Sequence, residues 1–507
     1  MKQLIFKNTF FCGLSTFVIG LTGLFLLPFM IIKLGAEQYG LIAIVYIFTM
    51  NGYINLFELG FQGGVARYVA KYKEEQNVQG LFSVTISSFA IFLALGVVLL
   101  AVSFLFKGFL VDLFKIPALY ASSVSTVLGW VFLSYLFVFP SVVFMGYFQG
   151  LQRYDVLKIT EIVTYLSYAL GTFFYLNSGG SNFQMILYFF LISLFFRFVT
   201  YGVFFVFDFS QSGARVLFDK EEVAKVWGMA KYLFAGKPAS MLYHNAPRLM
   251  VAIFLGPVAM TGYEIVMKIP RFLKSGLGFL NSAVMPVAST LEARGDQVRL
   301  KKLFLCGFKY QFLFLLPALS VCFLFSREIL HFWMPAEYEH LFPLLRIMFV
   351  WNLLAPLVAY SNSIMTGMER KLKLMAFWVW GVVLISTLFI VLTIHWWGLY
   401  SAVIGYLLGT VLWIPFIAIW TCRETGSSST EFFLILGNGL KYVFIPLTLY
   451  VIFRHFLSNI VLVALFAVLC MASYFVVLFY KYLTQEERGF IVSLLPMSAE
   501  NYFRGRK

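Results

Sequence analysis

Two apolar stretches of the chain carry an unusual density of cations. At ~100° per residue, Lys237, His244 and Arg248 fall within roughly 40° of one another on a helix. Glu264, Lys268 and Arg271 share a second face, with Lys274 on its edge. Side chains of this kind bind anions, and guanidinium groups suit bidentate contact with phosphate. Glu264 stands one turn from Lys268 and is expected to pair with it. Glu264 and nearby Glu292 are too few acids to neutralise the set, so an anionic ligand would complete it. A buried ion-pair network that fixes helix register is the other reading. Arg197 is a further cation inside a predicted span. Lys309, Arg346 and Lys441 are also within spans, and Lys309 and Lys441 sit close enough to helix ends to snorkel.

A second polar set, Asn51, Asn55 and Glu58, follows i, i+4, i+7 spacing and predicts one face of the second span. It would either hydrogen-bond sugar hydroxyls or hold helices together. Pro238, Pro247, Pro270 and Pro286 are expected to kink the two cationic helices. There is no phosphate-loop motif, no kinase set and no HExxH. The five Cys are scattered, with no CxxC, so neither a disulfide framework nor a metal site is expected. We expect no enzyme and no cofactor. Transport would draw on a gradient or the membrane potential, with H+ or Na+ as the candidate coupling ion.

Such residues need apolar elements to hold them. Of 507 residues, 61% are hydrophobic and only 12% charged. A soluble domain cannot hide that much apolar surface. A membrane span takes ~20 residues, and apolar runs near 10–32, 39–57, 80–106, 122–146, 157–177, 183–207, 232–255, 259–287, 303–325, 342–366, 374–396, 399–421, 434–453 and 459–480 predict about fourteen. The first run is too long for a signal-peptide core and reads as a retained helix. With both termini cytoplasmic, only Lys33, Lys107, Lys115, Arg327 and Arg454 among the loop cations fall outside. The net charge of +15 therefore reads as the positive-inside rule, not as nucleic-acid binding.

The chain also resembles itself. Gly150-Leu-Gln-Arg153 ends the fourth span and Gly367-Met-Glu-Arg370 the tenth, while Leu34-Gly35 and Leu255-Gly256 precede the second and eighth. The expectation is an all-α polytopic membrane protein of two six-helix lobes related by a parallel repeat. We place the N-lobe at 1–207, a cytoplasmic amphipathic linker at 208–231, the C-lobe at 232–421, and two further spans with a cytoplasmic tail at 422–507. In the linker, Asp219 and Glu222 read as a helix start, and Val223, Val226 and Trp227 as its apolar stripe. It would join two rocking lobes or serve as a passive connection.

Several motifs, in order along spans 1–12, resemble those of bacterial polysaccharide flippases, the Wzx-like O-antigen group of the multidrug/oligosaccharidyl-lipid/polysaccharide exporter (MOP) superfamily. Leu34-Gly35-Ala36-Glu37-Gln38-Tyr39-Gly40 is similar to LG-x-E-x-YG. Glu58-Leu59-Gly60 with Ala66-Arg67-Tyr68-Val69-Ala70 resembles DLG…RYVA. Gly146, Gly150 and Arg153 resemble G-x-x-x-G-x-x-R, and Phe254-Leu255-Gly256, Gly262-Tyr263, Pro286 and Ser289 resemble FLG…GY…P-x-x-S. Two departures stand out. Glu58 replaces the usual Asp, and His244-Asn245-Ala246-Pro247-Arg248 lacks the acid that many relatives carry there. The resemblance implies two lobes in a V around a cationic lumen in the bacterial cytoplasmic (inner) membrane. It implies transfer of an undecaprenyl-pyrophosphate-linked oligosaccharide between leaflets, with Lys237, Arg248, Lys268, Arg271, Lys274 and Arg197 on the anionic group. Asn51, Asn55, Glu58, His244 and Glu264 would be polar or coupling residues. Membrane lipid, a polysaccharide polymerase and glycosyltransferases are the implied partners. A peptidoglycan-precursor flippase, an ion-coupled multidrug antiporter and a non-transporting scaffold are the competing readings.

Overall fold

A computed structural model describes residues 2–441 except 51, 59, 216–217, 235–236, 283 and 369–371, and then 448, 452, 460–482 and 485. Among the described residues all regular structure is helical. Among the described residues, nine helical stretches are long and apolar enough to cross a membrane. Of these, Lys7–Glu58 contains the predicted spans 10–32 and 39–57, and Met241–Ser275 covers the adjoining parts of 232–255 and 259–287. The fifth predicted span forms a helix at Tyr154–Asn177. Outward side chains such as Leu105 and Phe109 are exposed apolar groups that suit lipid rather than water. The protein is an all-α, multi-pass membrane protein.

The chain divides into two compact units. The first comprises Met1–Ala283 and Glu369–Trp413. It holds α1 (Lys2–Val45), α2 (Phe61–Glu74), α3 (Val78–Leu113), α4 (Ala118–Leu133), α5 (Tyr135–Gly150), α6 (Tyr154–Asn177), α7 (Phe183–Ser212), α8 (Lys220–Phe234), α9 (Lys237–Ser282), α14 (Leu372–Trp397) and the first half of α15 (Leu399–Glu424). The second comprises Val284–Met368 and Ile414–Lys507. It holds α10 (Val284–Ala293), α11 (Gln297–Leu324), α12 (Ser326–Trp333), α13 (Phe342–Gly367), α16 (Ser429–Lys441) and α17 (Ile460–Val477). In it, Phe304 and Phe308 of α11 pack on Phe432 of α16, and Phe325 meets Phe466 of α17.

The helices α1 and α9 each contain one residue with non-helical backbone, Gly35 at φ 81, ψ 167 and Gly256 at φ 79, ψ −169. Essentially only glycine adopts this conformation. These are the two glycines that the internal repeat pairs at an offset of 221. Their surroundings are reciprocal as well. A Cβ on Gly40 would meet the Pro257 carbonyl oxygen at 1.9 Å, and Thr261 Oγ1 donates to the Ala36 carbonyl at 2.5 Å. By the same offset Gly40 corresponds to Thr261 and Ala36 to Pro257, so residue i touches the copy of j and j the copy of i. That is the contact rule of a two-fold interface, here written within one chain.

Pro247, Pro257 and Pro270 lie inside α9, and its break is at Gly256, beside Pro257, where the backbone leaves helical angles altogether. Pro238 lies at the start of α9, and the side chain of Pro286 is outside the described ones.

A second repeated contact holds the helix packing within each unit. Gly146 and Gly150 of α5 leave room for the backbone of α2, where added Cβ atoms would meet Gln62 O at 2.8 Å and Ala66 O at 2.6 Å. In the second unit, Gly367 of α13 meets Met285 O of α10 at 2.6 Å in the same sense. Beside Gly150, Arg153 clamps Asp208 of α7 with Nη1 at 3.1 and 2.8 Å from the two carboxylate oxygens, and Tyr147 OH adds a bond of 3.1 Å. The family-like glycines and arginine therefore build the frame.

The linker helix forms as α8. Asp219 caps it, accepting from Glu221 N at 2.8 Å. Val226 is buried, and Trp227 lies 5.7 Å from the Phe61 ring of α2. Glu222 is buried under Tyr72 of α2, whose hydroxyl stands 2.7 Å from both carboxylate oxygens, and Lys225 reaches it at 2.6 Å.

Two predictions follow from these contacts. Gly40→Leu should destabilise the detergent-solubilised protein by about 1–3 kcal/mol through overpacking. Gly13→Ala, with nothing within 4 Å of its added Cβ, should be neutral in the same thermal assay. Burial, and then the bond to Glu222, push the Tyr72 phenol from 10.0 up to about 12. Its folded value is raised, so its stabilisation is complete below pH 10 and is lost as pH rises through about 12. The Trp227 emission, read as the difference from Trp227→Phe, should change in that window, and Tyr72→Phe should remove the transition.

Candidate functional site

The break at Gly256 folds α9 back on itself. Arg248 and Glu264 stand eight residues either side of Gly256. A straight helix would separate them by ~24 Å. Instead Arg248 Nε lies 2.9 Å from Glu264 Oε1, an ion pair whose N–H is not aimed along the contact. Arg248 Nη2 donates to the Ala43 carbonyl of α1 at 2.9 Å. The other carboxylate oxygen, Oε2, accepts from Arg271 Nη1 at 2.8 Å. Arg271 also stands over the Tyr263 ring, 5.7 Å from its centroid.

Lys268 does not take the pairing expected of it. Two arginines occupy the two oxygens of Glu264, one from two turns along and one across the fold-back. The Lys268 ammonium turns toward α1 instead. It lies 2.8 Å from where a Cβ on Gly23 would stand, beside the Tyr165 hydroxyl at 3.0 Å from that point. Glycine at 23 is what admits it. Lys268 remains within electrostatic reach of Glu264, Arg271 and Arg248.

Further along α9, Lys274 Nζ lies 3.2 Å from His244 Nε2. An ammonium only donates, so Nε2 accepts and Nδ1 carries the proton. Nδ1 then donates to the Tyr406 hydroxyl of α15. Tyr243 OH donates to the Tyr406 carbonyl and lies 2.7 Å from Thr410 Oγ1. Six of the expected residues are thus brought together, with Arg248, Lys268, Arg271 and Lys274 around Glu264 and His244. Arg248, Lys268, Arg271 and Lys274 carry four positive charges against one on Glu264.

Others fall elsewhere. Arg197 is on α7, its Nε 3.4 Å from Thr164 Oγ1 of α6. Asn51 and the Lys237 side chain lie outside the described residues. Asn55 and Glu58 are not on an α-helical face. The stretch runs as 3-10 turns at Tyr46–Phe48 and Tyr53–Glu58. Gly52, whose Cβ would meet Ile47 O, permits a turn too tight for a continuous α-helix, and Asn55 and Glu58, one 3-10 turn apart, share a face of that turn instead. The same turns bring Tyr53 within electrostatic reach of Arg248 and Tyr263. Sequence spacing gave no site role to the tyrosines at 53, 165, 243 and 406, and it marked Tyr263 only within a motif. Tyr243 and Tyr263 neighbour charged or polar residues of the stripes in sequence, but nothing marks Tyr406 among 28 tyrosines.

A family model described as "Polysaccharide biosynthesis protein" matches residues 5–292. The chain belongs to this family. Solved structures with the same fold include "Lipid II flippase MurJ, inward closed conformation", at 14% identity and TM-score 0.70, covering 93% of this chain and 98% of that one. A multidrug resistance MATE family transporter of the MOP superfamily, inward-facing, matches at 12% identity and TM-score 0.66, covering 82% and 98%. A MOP superfamily transporter from Pyrococcus furiosus with a reverse polarity of its binding pocket matches at 13% identity and TM-score 0.61, covering 84% and 96%. None of the curated protein sequences compared matches the chain. The fold is the one these transporter and flippase structures share. Among the described residues no group of three or more His, Cys, Asp or Glu could hold a metal ion.

In this family member Glu264 is shared by two arginines. Its loss strands two cations, while loss of Arg248 leaves Glu264 its bond to Arg271. Glu264→Leu should therefore cost about 3–5 kcal/mol and lower the unfolding temperature more than Arg248→Met does. Equal losses would refute the sharing.

Proposed function

We propose that this protein moves an undecaprenyl-pyrophosphate-linked oligosaccharide from the inner to the outer leaflet of the bacterial cytoplasmic membrane by alternating access. The observation that carries the reading is the charge imbalance of the described cluster, Arg248, Lys268, Arg271 and Lys274 gathered around the single carboxylate of Glu264, since buried charge is costly in a membrane protein. A pyrophosphate supplies the missing negative charge. Arg271, with 37% of its side chain exposed, is the first contact, Lys268 and Lys274 add point charges, and the lipid tail stays in the bilayer. The tyrosines beside the cations present flat faces and hydroxyls suited to sugar rings. The family match to polysaccharide biosynthesis supports a glycan cargo. With no phosphate-loop motif in the sequence, the drive comes from H+ or Na+, the membrane potential or the cargo gradient. Both termini would be cytoplasmic, with glycosyltransferases supplying the cargo and a polymerase receiving it.

A peptidoglycan-precursor flippase is the second reading, favoured by the fold shared with MurJ over 93% of the chain. It would bind a pyrophosphate anchor by the same cations. A multidrug antiporter for cations is disfavoured, because like charge in the site repels such cargo.

Arg271→Gln should lower surface glycan by about tenfold or more, as loss of a charge-assisted phosphate contact does, with membrane protein level unchanged by immunoblot. Normal glycan display in Arg271→Gln and in a Lys268→Gln/Lys274→Gln double variant would sink this assignment.

A further inference from the structure

We propose that Glu264 is a built-in competitor for the anionic cargo. Its carboxylate occupies Arg271 when the site is empty, and an incoming polyanion takes Arg271 from it. This rests on the reading above and adds how the same site selects and releases its ligand.

The two halves of the Arg248–Glu264–Arg271 triad are unequal. Arg248 and Glu264 are both buried, with side chains 10% and 9% exposed, and Arg248 is further held by the Ala43 carbonyl. Arg271 is 37% exposed. Each arginine uses a different oxygen of Glu264, Oε1 for Arg248 and Oε2 for Arg271. Arg271 therefore leaves without breaking the buried half, and the departing carboxylate keeps a charge partner. The exchange is a swap of one anion for another on an arginine, so the site is never left with a bare guanidinium.

Competition from a tethered carboxylate also sets specificity. Glu264 acts at the high effective concentration of an intramolecular group, so a free monoanion such as acetate gains nothing by replacing it. A pyrophosphate brings more charge than the carboxylate it displaces and engages Lys268, already within reach of Arg271. The swap is favourable only for a polyanion. Because Glu264 stays beside Arg271, it returns when the cargo shifts, and this shortens the residence time of a ligand that must be let go.

The experiment measures inorganic pyrophosphate binding by calorimetry to the full chain in nanodiscs, with acetate as the monoanion. E264Q should bind pyrophosphate about tenfold tighter than wild type, and should export less glycan because release slows. E264D keeps a buried negative charge but is too short to span both arginines. It should also tighten binding, and it carries the test if E264Q does not accumulate. Wild type should show no acetate binding. Pyrophosphate affinity that is unchanged or weakened in both variants, yet lost in R271Q, overturns the competitor role and leaves the cargo reading standing. No pyrophosphate binding by any form overturns both.

Discussion

The fold-back of α9 at Gly256 is the constraint on which the site depends. It brings together Arg248 and Glu264, which a straight helix would hold far apart, and it faces His244 with Lys274. The bend requires a backbone conformation closed to residues with a Cβ. It is braced against its own copy, since α1 bends at Gly35 in the same way and the two bends touch through Gly40–Pro257 and Thr261–Ala36. An internal repeat thus does mechanical work here. The two bent helices fit each other at their bends, and the cationic stripe is on α9.

Much of this was legible in the sequence, and the failures share a cause. Composition and apolar period led directly to an all-helical membrane protein, and the offset of 221 predicted equivalent roles for Gly35 and Gly256. The faces of α9 were legible because helical spacing places Arg248 with His244 and Glu264 with Arg271. What stayed hidden was which face meets which. Glu264 was expected on Lys268 because local pairing is all that spacing reports. In the fold, an arginine from across the bend and one two turns along outcompete it. Asn55 and Glu58 stand on a 3-10 turn where an α-helix was assumed, because residue spacing does not report the tight turn at Gly52. Tyr406 arrives from α15, and no local signal connects it to His244.

Frame and site are separable in this molecule. Gly146, Gly150 and Arg153, among the most family-like residues, pack α5 on α2 and tie the chain to Asp208. They say that the fold is that of the polysaccharide biosynthesis family and say little about cargo. The charges of α9 do the reverse. His244-Asn245-Ala246-Pro247-Arg248 leaves out an acid that the resemblance would place there, and Glu264 supplies the negative charge from the opposite arm of the bend.

That arrangement explains how a membrane helix tolerates so much positive charge before any ligand arrives. Each cation has a different neighbour. Arg248 has a carbonyl and half of a carboxylate, Arg271 the other half and an aromatic face, Lys268 a phenol, and Lys274 an imidazole. Only one of those neighbours carries a full negative charge, so the desolvation cost of the cations is offset by dipoles rather than cancelled by counter-charge. Dipoles stay in place when an anion binds, because they need not be displaced or protonated to make room. A site built mainly of dipoles and a single shared acid is stable when empty and still electropositive, which is the condition a carrier of anionic headgroups has to satisfy in both halves of its cycle.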